Sequence, residues 1–294
     1  MNQALSSERA LPGAGDYEVV IRPNTSWLHI DWRPVVEYRD LLFLLVRREF
    51  VSKYQQTLLG PAWFIFQPLL STFVFVIFQL VAKISTDALP PVLFNLCGLL
   101  AWNYFATNLM AASNTFTNNS QLFGKVYFPR IIMPLSLVIS NLAAFGLQFL
   151  MFLGFFVYFK FFTLHGHTFA MGWSAIFLPL LVLHIAVLSL GVSLWMSALT
   201  SKYRDLWHLL QFITQLWMFA SAVIVPLSAV PARWQWAANF NPMVAIVESY
   251  RYCLLGKGTV TVASISISVA ISILALLSGA LIFQRTERTF IDTV

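Results

Sequence analysis

Between Gly60 and Phe283 the chain runs repeatedly for about twenty residues or more without an Asp, Glu, Lys or Arg. A helix rises about 1.5 Å per residue and the hydrocarbon slab of a bilayer is about 30 Å thick, so a crossing needs about 20 such residues. Six stretches meet that length, roughly 61–82, 91–112, 131–159, 173–199, 207–227 and 260–283. A chain that is 59% hydrophobic and 10% charged, with a mean hydropathy of +0.74, lies outside the range of soluble domains. The expectation is an all-α membrane protein with six transmembrane helices, occupying residues 58–284.

The segment before the first crossing is different. Leu41 to Val46 is a short apolar run between Glu37, Arg39 and Asp40 on one side and Arg47, Arg48, Glu49 and Lys53 on the other. Six apolar residues make about 9 Å of helix, far too little to cross. Val36, Phe43, Val46, Phe50 and Tyr54 recur at helical spacing, which predicts an amphipathic interfacial helix over 34–57, imperfect because Arg39 and Lys53 lie near the stripe. Gly60-Pro61 then breaks the chain and forms a candidate hinge to the first crossing. Residues 1–33 are polar, lack an apolar h-region and are expected to be a tail, as are residues 285–294.

An even number of crossings puts both termini on one side. Placing them in the cytoplasm leaves thirteen of the eighteen Lys and Arg there, with Lys83, Lys160, Arg233, Arg251 and Lys257 outside. That bias supports cytoplasmic termini, and it accounts for the net charge of +6 by membrane sidedness without calling on nucleic acid. The last outer connection, 226–258, is too polar to cross and too apolar for a free loop. Pro231 and the turn Asn239 to Pro242 divide it into two short helices, the second from about Met243 to Leu255, expected to dip into the outer leaflet and cap a bundle or pore.

The crossings contain His184 and His208 but no acid or strong base, so the groups with which ion-coupled carriers bind their ion are missing. There is no phosphate loop, since Leu255-Gly256-Lys257-Gly258 lacks its spacing. Cys97 and Cys253 give neither a disulfide framework nor metal spacing, and His165 and His167 have no third ligand, so no metal site is expected. Uphill transport by such a chain needs energy from another subunit. Trp63, Phe66, Gln67 and Phe73 on the first crossing, with Asn95, Trp102 and Asn103 on the second, join aromatic faces to amides, a combination that suits sugars. The plainer role of such aromatics is anchoring at the lipid interface. His208, Gln211 and Gln215 form a polar stripe that suits either interhelix hydrogen bonding or a wet path.

Three stretches carry a resemblance. They are Leu41 to Pro68, containing VRREFVSKYQQTLLGPAWFIFQP; Thr117 to Pro134, containing NNSQLFGKVYFPRIIMP; and Asn241-Pro242 followed by Glu248, Tyr250, Arg251 and Leu254-Leu255-Gly256. In that order they resemble the permease subunits of bacterial polysaccharide ABC exporters of the second type, the O-antigen (Wzm-like), capsule and teichoic acid group. The likeness runs from about residue 30 to the end of the chain.

The resemblance implies a homodimer in the bacterial inner membrane, joined to two copies of a separately encoded ATP-binding subunit that holds the ATP and Mg, with no cofactor in this chain. It implies a pore that moves a lipid-linked polysaccharide on undecaprenyl pyrophosphate to the periplasm. Glu37, Arg39 and Asp40, with Gln121, Lys125 and Tyr127, become candidate contacts to the ATPase. Residues 229–255 become a periplasmic gate with Trp234, Trp236, Asn241, Pro242, Glu248 and Arg251. Glu248 and Arg251, three apart on a helix, are placed to pair. Arg47, Arg48 and Lys53 become candidate contacts for the lipid diphosphate, because guanidinium binds phosphate in a planar fork; binding ordinary anionic lipid is their competing role. Other cargoes fit the same architecture, namely capsule or teichoic acid polymer, a smaller lipid or a drug. A membrane transferase acting on glycan lipids is the remaining class, and it would have to draw its outer acids from Asp87 and Glu248.

Overall fold

The computed structural model describes residues 36–54, 60–119 and 128–291. The expected tails, the Leu58-Leu59 part of the hinge region, and Gln121, Lys125 and Tyr127 lie outside the described residues wholly or, for the C-terminal tail, in part. Among the described residues the regular elements are all helices: α1 Arg39–Tyr54, α2 Trp63–Ala82, α3 Pro91–Ser113, the single turn α4 Thr115–Asn118, α5 Ile132–Phe162, α6 Leu178–Lys202, α7 Leu206–Phe219, α8 Ala232–Phe240, α9 Pro242–Leu255 and α10 Val262–Ile291.

Among the described residues, four helical segments are long and apolar enough to cross a bilayer: Gly60–Ala82, Ile132–Phe162, Trp173–Lys202 and Val262–Glu287. With these the protein is a multi-pass membrane protein. The second and fifth expected crossings differ from them for separate reasons. Helix α3 has the length, 23 residues, but carries Asn95, Asn103 and Asn108. It is buried nearly all round, with Phe94, Leu93, Phe105 and Leu109 at 0% exposure, because α2, α5, α6, α7 and α9 all pack on it. A helix enclosed by protein does not need a lipid-compatible surface.

The fifth expected crossing, 207–227, is not one helix. Helix α7 has 14 residues, about 21 Å, and stops at Phe219. The N–H groups of Ala220 and Ser221 still bond back to the carbonyls of Leu216 and Met218, Ala222 then takes a left-handed φ of +55°, and the largely buried segment 221–226 continues outside any helix. This corrects the expectation of an uninterrupted span.

Helices α6 and α10 cross with their backbones close together. A Cβ on Gly191 would stand 2.5 Å from the backbone nitrogen of Leu276, and one on Gly279 would run into the carbonyl oxygen of Gly191. Small residues Ser268, Ser272, Ala275 and Gly279 recur along α10; Gly191 of α6 meets the backbone at Ala275, Leu276 and Gly279, and His184 meets Ser268 and Ser272, which lets the backbones approach. His184 Nε2 and Ser272 Oγ, 3.0 Å apart, and Trp195 Nε1 donating to Ser278 Oγ at 2.9 Å, add polar links along the same seam.

Helix α1 is not amphipathic in the simple sense. Leu45 is 2% exposed against Phe128, Ile132 and Met133, with Tyr38, Leu41 and Leu42 packed on the same cluster. The predicted stripe points the other way: Val36 and Phe43 are each 69% exposed. Helical spacing picks out the outward apolar face and is silent on the inward one, because six consecutive apolar residues populate both.

Candidate functional site

The backbone released where α7 ends would be costly inside a membrane unless protein satisfied it. Three side chains from different elements do so. Gln79 of α2 donates from Nε2 to the carbonyl of Ile224 at 2.7 Å. Asn241 donates from Nδ2 to the carbonyl of Ala220 at 2.9 Å. Arg251 of α9 donates from Nη2 to the carbonyl of Val223 at 2.7 Å. The broken segment is thus held at three of its carbonyls, and the elements that hold it surround α3.

Arg251 is the most deeply placed of the three, 1% exposed. Its Nη1 donates to Glu248 Oε1 at 2.9 Å, and its guanidinium lies 3.6 Å above the ring of Phe94. The second carboxylate oxygen of Glu248 accepts from the backbone N–H of Thr259 at 3.0 Å and from its hydroxyl at 3.4 Å. Gly98 admits the guanidinium, for a Cβ there would stand 3.1 Å from Nη2 and from the Val223 oxygen. Glu248 and Arg251 therefore pair, and the pair is interior rather than surface, with side-chain exposures of 2% and 1%.

Asn241 is the joint between α7 and α9. Its Oδ1 accepts from Trp217 Nε1 and from the N–H of Met243, both at 3.1 Å, the second being the N-cap bond of α9. Pro242 follows at the first helical position, where a missing N–H costs nothing, and its carbonyl accepts from Ser268 of α10 at 2.9 Å. Helix α9 ends at Gly256 with φ +69°. The two outer helices differ in burial. Trp234 and Trp236 of α8 are exposed, whereas α9 is buried along all but Tyr252 among its own residues. Helix α9 is accordingly a core element and α8 a peripheral one.

The other residues singled out from the sequence separate into an exposed and an interior set. Trp63, Phe66, Gln67 and Phe73 form one exposed face of α2, with Trp63 at 53% and Phe73 at 64%. His208, Gln211 and Gln215 form an exposed face of α7. Both helices pack on α3. Asn95 and Trp102 are interior. Asn95 exchanges amide hydrogen bonds with Gln79, at 2.7 and 3.2 Å, and Trp102 packs with Phe105 and Trp217 at centroid distances of 5.5 and 6.5 Å. Neither offers a surface to cargo within one chain, which removes them from the candidate path. Asn103 is intermediate and donates to Gln148 at 3.3 Å.

Glu37 just ahead of α1, and Arg39, Asp40 and Arg47 on it, are exposed, with Arg39 and Asp40 3.8 Å apart, and Arg48 pairs with Glu49 at 2.9 Å. Lys53 is directed inward: its ammonium donates to Asn141 Oδ1 on α5. Burial lowers its pKa from the ordinary lysine value, with Glu49 opposing. Asn141 Nδ2 in turn donates to Asn108 Oδ1 of α3 at 2.7 Å, and Asn108 Nδ2 to Ser189 Oγ of α6 at 3.2 Å. Gly60 takes φ +50°, a Cβ added there would meet nothing within 4 Å, and Pro61 is exposed.

Sequence reasoning missed Gln79, Asn108, Asn141 and Ser189, and also the contact of Arg130 with Glu287, in which Arg130 Nη1 donates to the Glu287 carbonyl at 3.1 Å. The usable signal was the amide side chain inside an apolar run, which rarely lacks a partner. Each such residue announces a bond, though not its recipient.

A sequence model of the family described as ABC-2 type transporter matches residues 40–255, from the first turn of α1 to the last residue of α9. The chain is 28% identical over 268 residues, 89% of its own length and 98% of the relative's, to a Myxococcus xanthus protein named O-antigen export system permease protein RfbA. Two Klebsiella pneumoniae proteins of the same name are 27% and 25% identical over 254 residues, each pairing 86% of this chain with 94% of the relative. A match that takes in the inward-packed α1, the broken end of α7 and the Asn241 to Arg251 joint places this chain in the ABC-2 type transporter family.

Proposed function

We propose that this chain is the membrane-embedded permease subunit of an ATP-driven exporter whose cargo is O-antigen, a polysaccharide carried on a lipid such as undecaprenyl pyrophosphate. The observation that carries the reading is near full-length similarity to proteins named as O-antigen export permeases. The composition of the interior supports it. Glu248 and Arg251 are occupied by each other and by backbone and hydroxyl groups, which leaves that pair little to offer a coupling ion. In this reading two copies of the chain assemble with two copies of a separate ATP-binding subunit in the inner membrane, both termini are cytoplasmic, and each copy crosses six times, with α3 enclosed by protein and α7 completed by the non-helical segment 221–226. The α2 face from Trp63 to Phe73 and the α7 face from His208 to Gln215 line the sugar path. Arg47 and Arg48 meet the lipid diphosphate, and exposed α8 closes the outer end.

The test is co-expression with its separately encoded ATP-binding partner, purification, and reconstitution with lipid-linked O-antigen. A stable complex whose ATP hydrolysis responds to that lipid is the expected result. No complex with the ATPase overturns the exporter reading. A complex that responds only to capsule or teichoic acid precursor, or to a small lipid, overturns the cargo.

A further inference from the structure

Helix α1 lies ahead of α2 in sequence, and a push on it would be expected to reach α2 through Gly60. Its packing is otherwise. The principal partner of α1 is α5, and the two are joined at two places. Near the start of α5, Leu45 is sealed against Ile132 and Met133. Further along both helices, Lys53 donates to Asn141. Eight residues separate the attachment points on α1, or about 12 Å, and on α5 the corresponding separation is similar. Two helices held at two points so far apart cannot pivot on one another without breaking one of them. At Gly60, by contrast, the left-handed backbone is uncrowded.

We propose that α1 and the first third of α5 form one moving body, that Gly60 uncouples this body from α2, and that Lys53 is the positioning residue that passes its displacement inward. The route is the hydrogen-bonded series Lys53, Asn141, Asn108, Ser189, which joins α1 to α5, α3 and α6. Packed cores and their polar links shift between discrete arrangements instead of deforming continuously, so a displaced α5 carries its bonded neighbours. This assignment also gives Lys53 a role other than contact with a lipid headgroup. It rests on the reading of the chain as a permease driven by an external ATPase.

The test uses the full complex with its ATPase. Lys53→Met and Asn141→Leu are each expected to lower export several-fold while ATP hydrolysis persists, and the double variant is expected to be no worse than either single one. If Lys53 acts by binding lipid headgroups, Asn141→Leu exports normally, which overturns the proposal; so do losses that multiply in the double variant. A second measurement avoids the interior. Spin labels at exposed Leu44→Cys with Leu142→Cys report α1 against α5, and Leu44→Cys with Leu70→Cys report α1 against α2, with labelled subunits diluted among unlabelled ones. Between nucleotide-free and vanadate-trapped complex the first distance is expected to hold and the second to change. A change in the first, or none in the second, overturns the proposal. A wild-type complex that does not assemble or export counts against the exporter reading instead.

Discussion

The guanidinium of Arg251 sits 2.7 Å from the carbonyl oxygen of Val223 and at the same time pairs with Glu248 at 2.9 Å. One side chain therefore meets two interior needs: it neutralises a buried carboxylate and satisfies a backbone oxygen released by the break after α7. Its relation to Phe94 and Gly98 ties both to the central helix α3.

Arg251→Met leaves Glu248 buried without its cation and Val223 without its donor. Losing one partner of a buried pair costs about 3–5 kcal/mol. Thermal unfolding in detergent should fall sharply for Arg251→Met and for Glu248→Leu. The double variant Glu248→Leu/Arg251→Met should recover part of the loss, because no uncompensated charge remains.

Gln79 and Asn95 behave as one unit. Gln79→Leu deprives the Ile224 carbonyl and Asn95 Oδ1 of their donor, while Asn95 Nδ2 keeps the Pro91 carbonyl, a desolvation cost of about 1–3 kcal/mol. A double-mutant cycle with Asn95→Leu should show a coupling of about 0.5–3 kcal/mol in unfolding. Cargo selectivity should be unaffected by Asn95→Leu, since the residue is wholly interior; a change in selectivity would return Asn95 to the transport path.

The glycines separate cleanly by surroundings. Gly279→Ala and Gly191→Ala drive a methyl into the facing backbone of the α6–α10 crossing and should abolish stable assembly, read by size-exclusion profile and expression in the membrane. Gly146→Ala and Gly154→Ala meet nothing within 4 Å. They should be neutral or stabilising by up to about 1 kcal/mol, the ordinary gain of Ala over Gly in a helix.

Gly60→Ala tests the hinge without a steric clash. The left-handed φ of +50° costs a residue with a Cβ about 1–2 kcal/mol while the space around it is open. The complex should assemble and hydrolyse ATP, and export measured by periplasmic glycan should drop. Normal export would remove Gly60 from the mechanism.

How far the sequence could be read is clearest from single residues. Asn241-Pro242 ahead of an apolar run, with Gly256 beyond it, marked α9 to within a residue at either end, because capping and the absence of a proline N–H are local chemistry. The apolar run Leu41 to Val46 marked a helix that lies outside the crossings, yet it left open which face is inward. Gly191 carried no visible signal at all, since the crowding that makes it indispensable comes from Leu276, far along the chain.

By itself the sequence determined that this chain is helical, that it belongs in a membrane, and where most of its helices begin and end. Hydrophobic length, caps and charge bias act within a few turns and need no neighbour to be legible. Only the tertiary structure decided that α1 packs on α5, that α7 stops short, and that Gln79, Asn241 and Arg251 meet at its broken end. Those outcomes depend on which buried polar group reaches which carbonyl across the bundle, and a polar residue in an apolar run states its need for a partner without naming it.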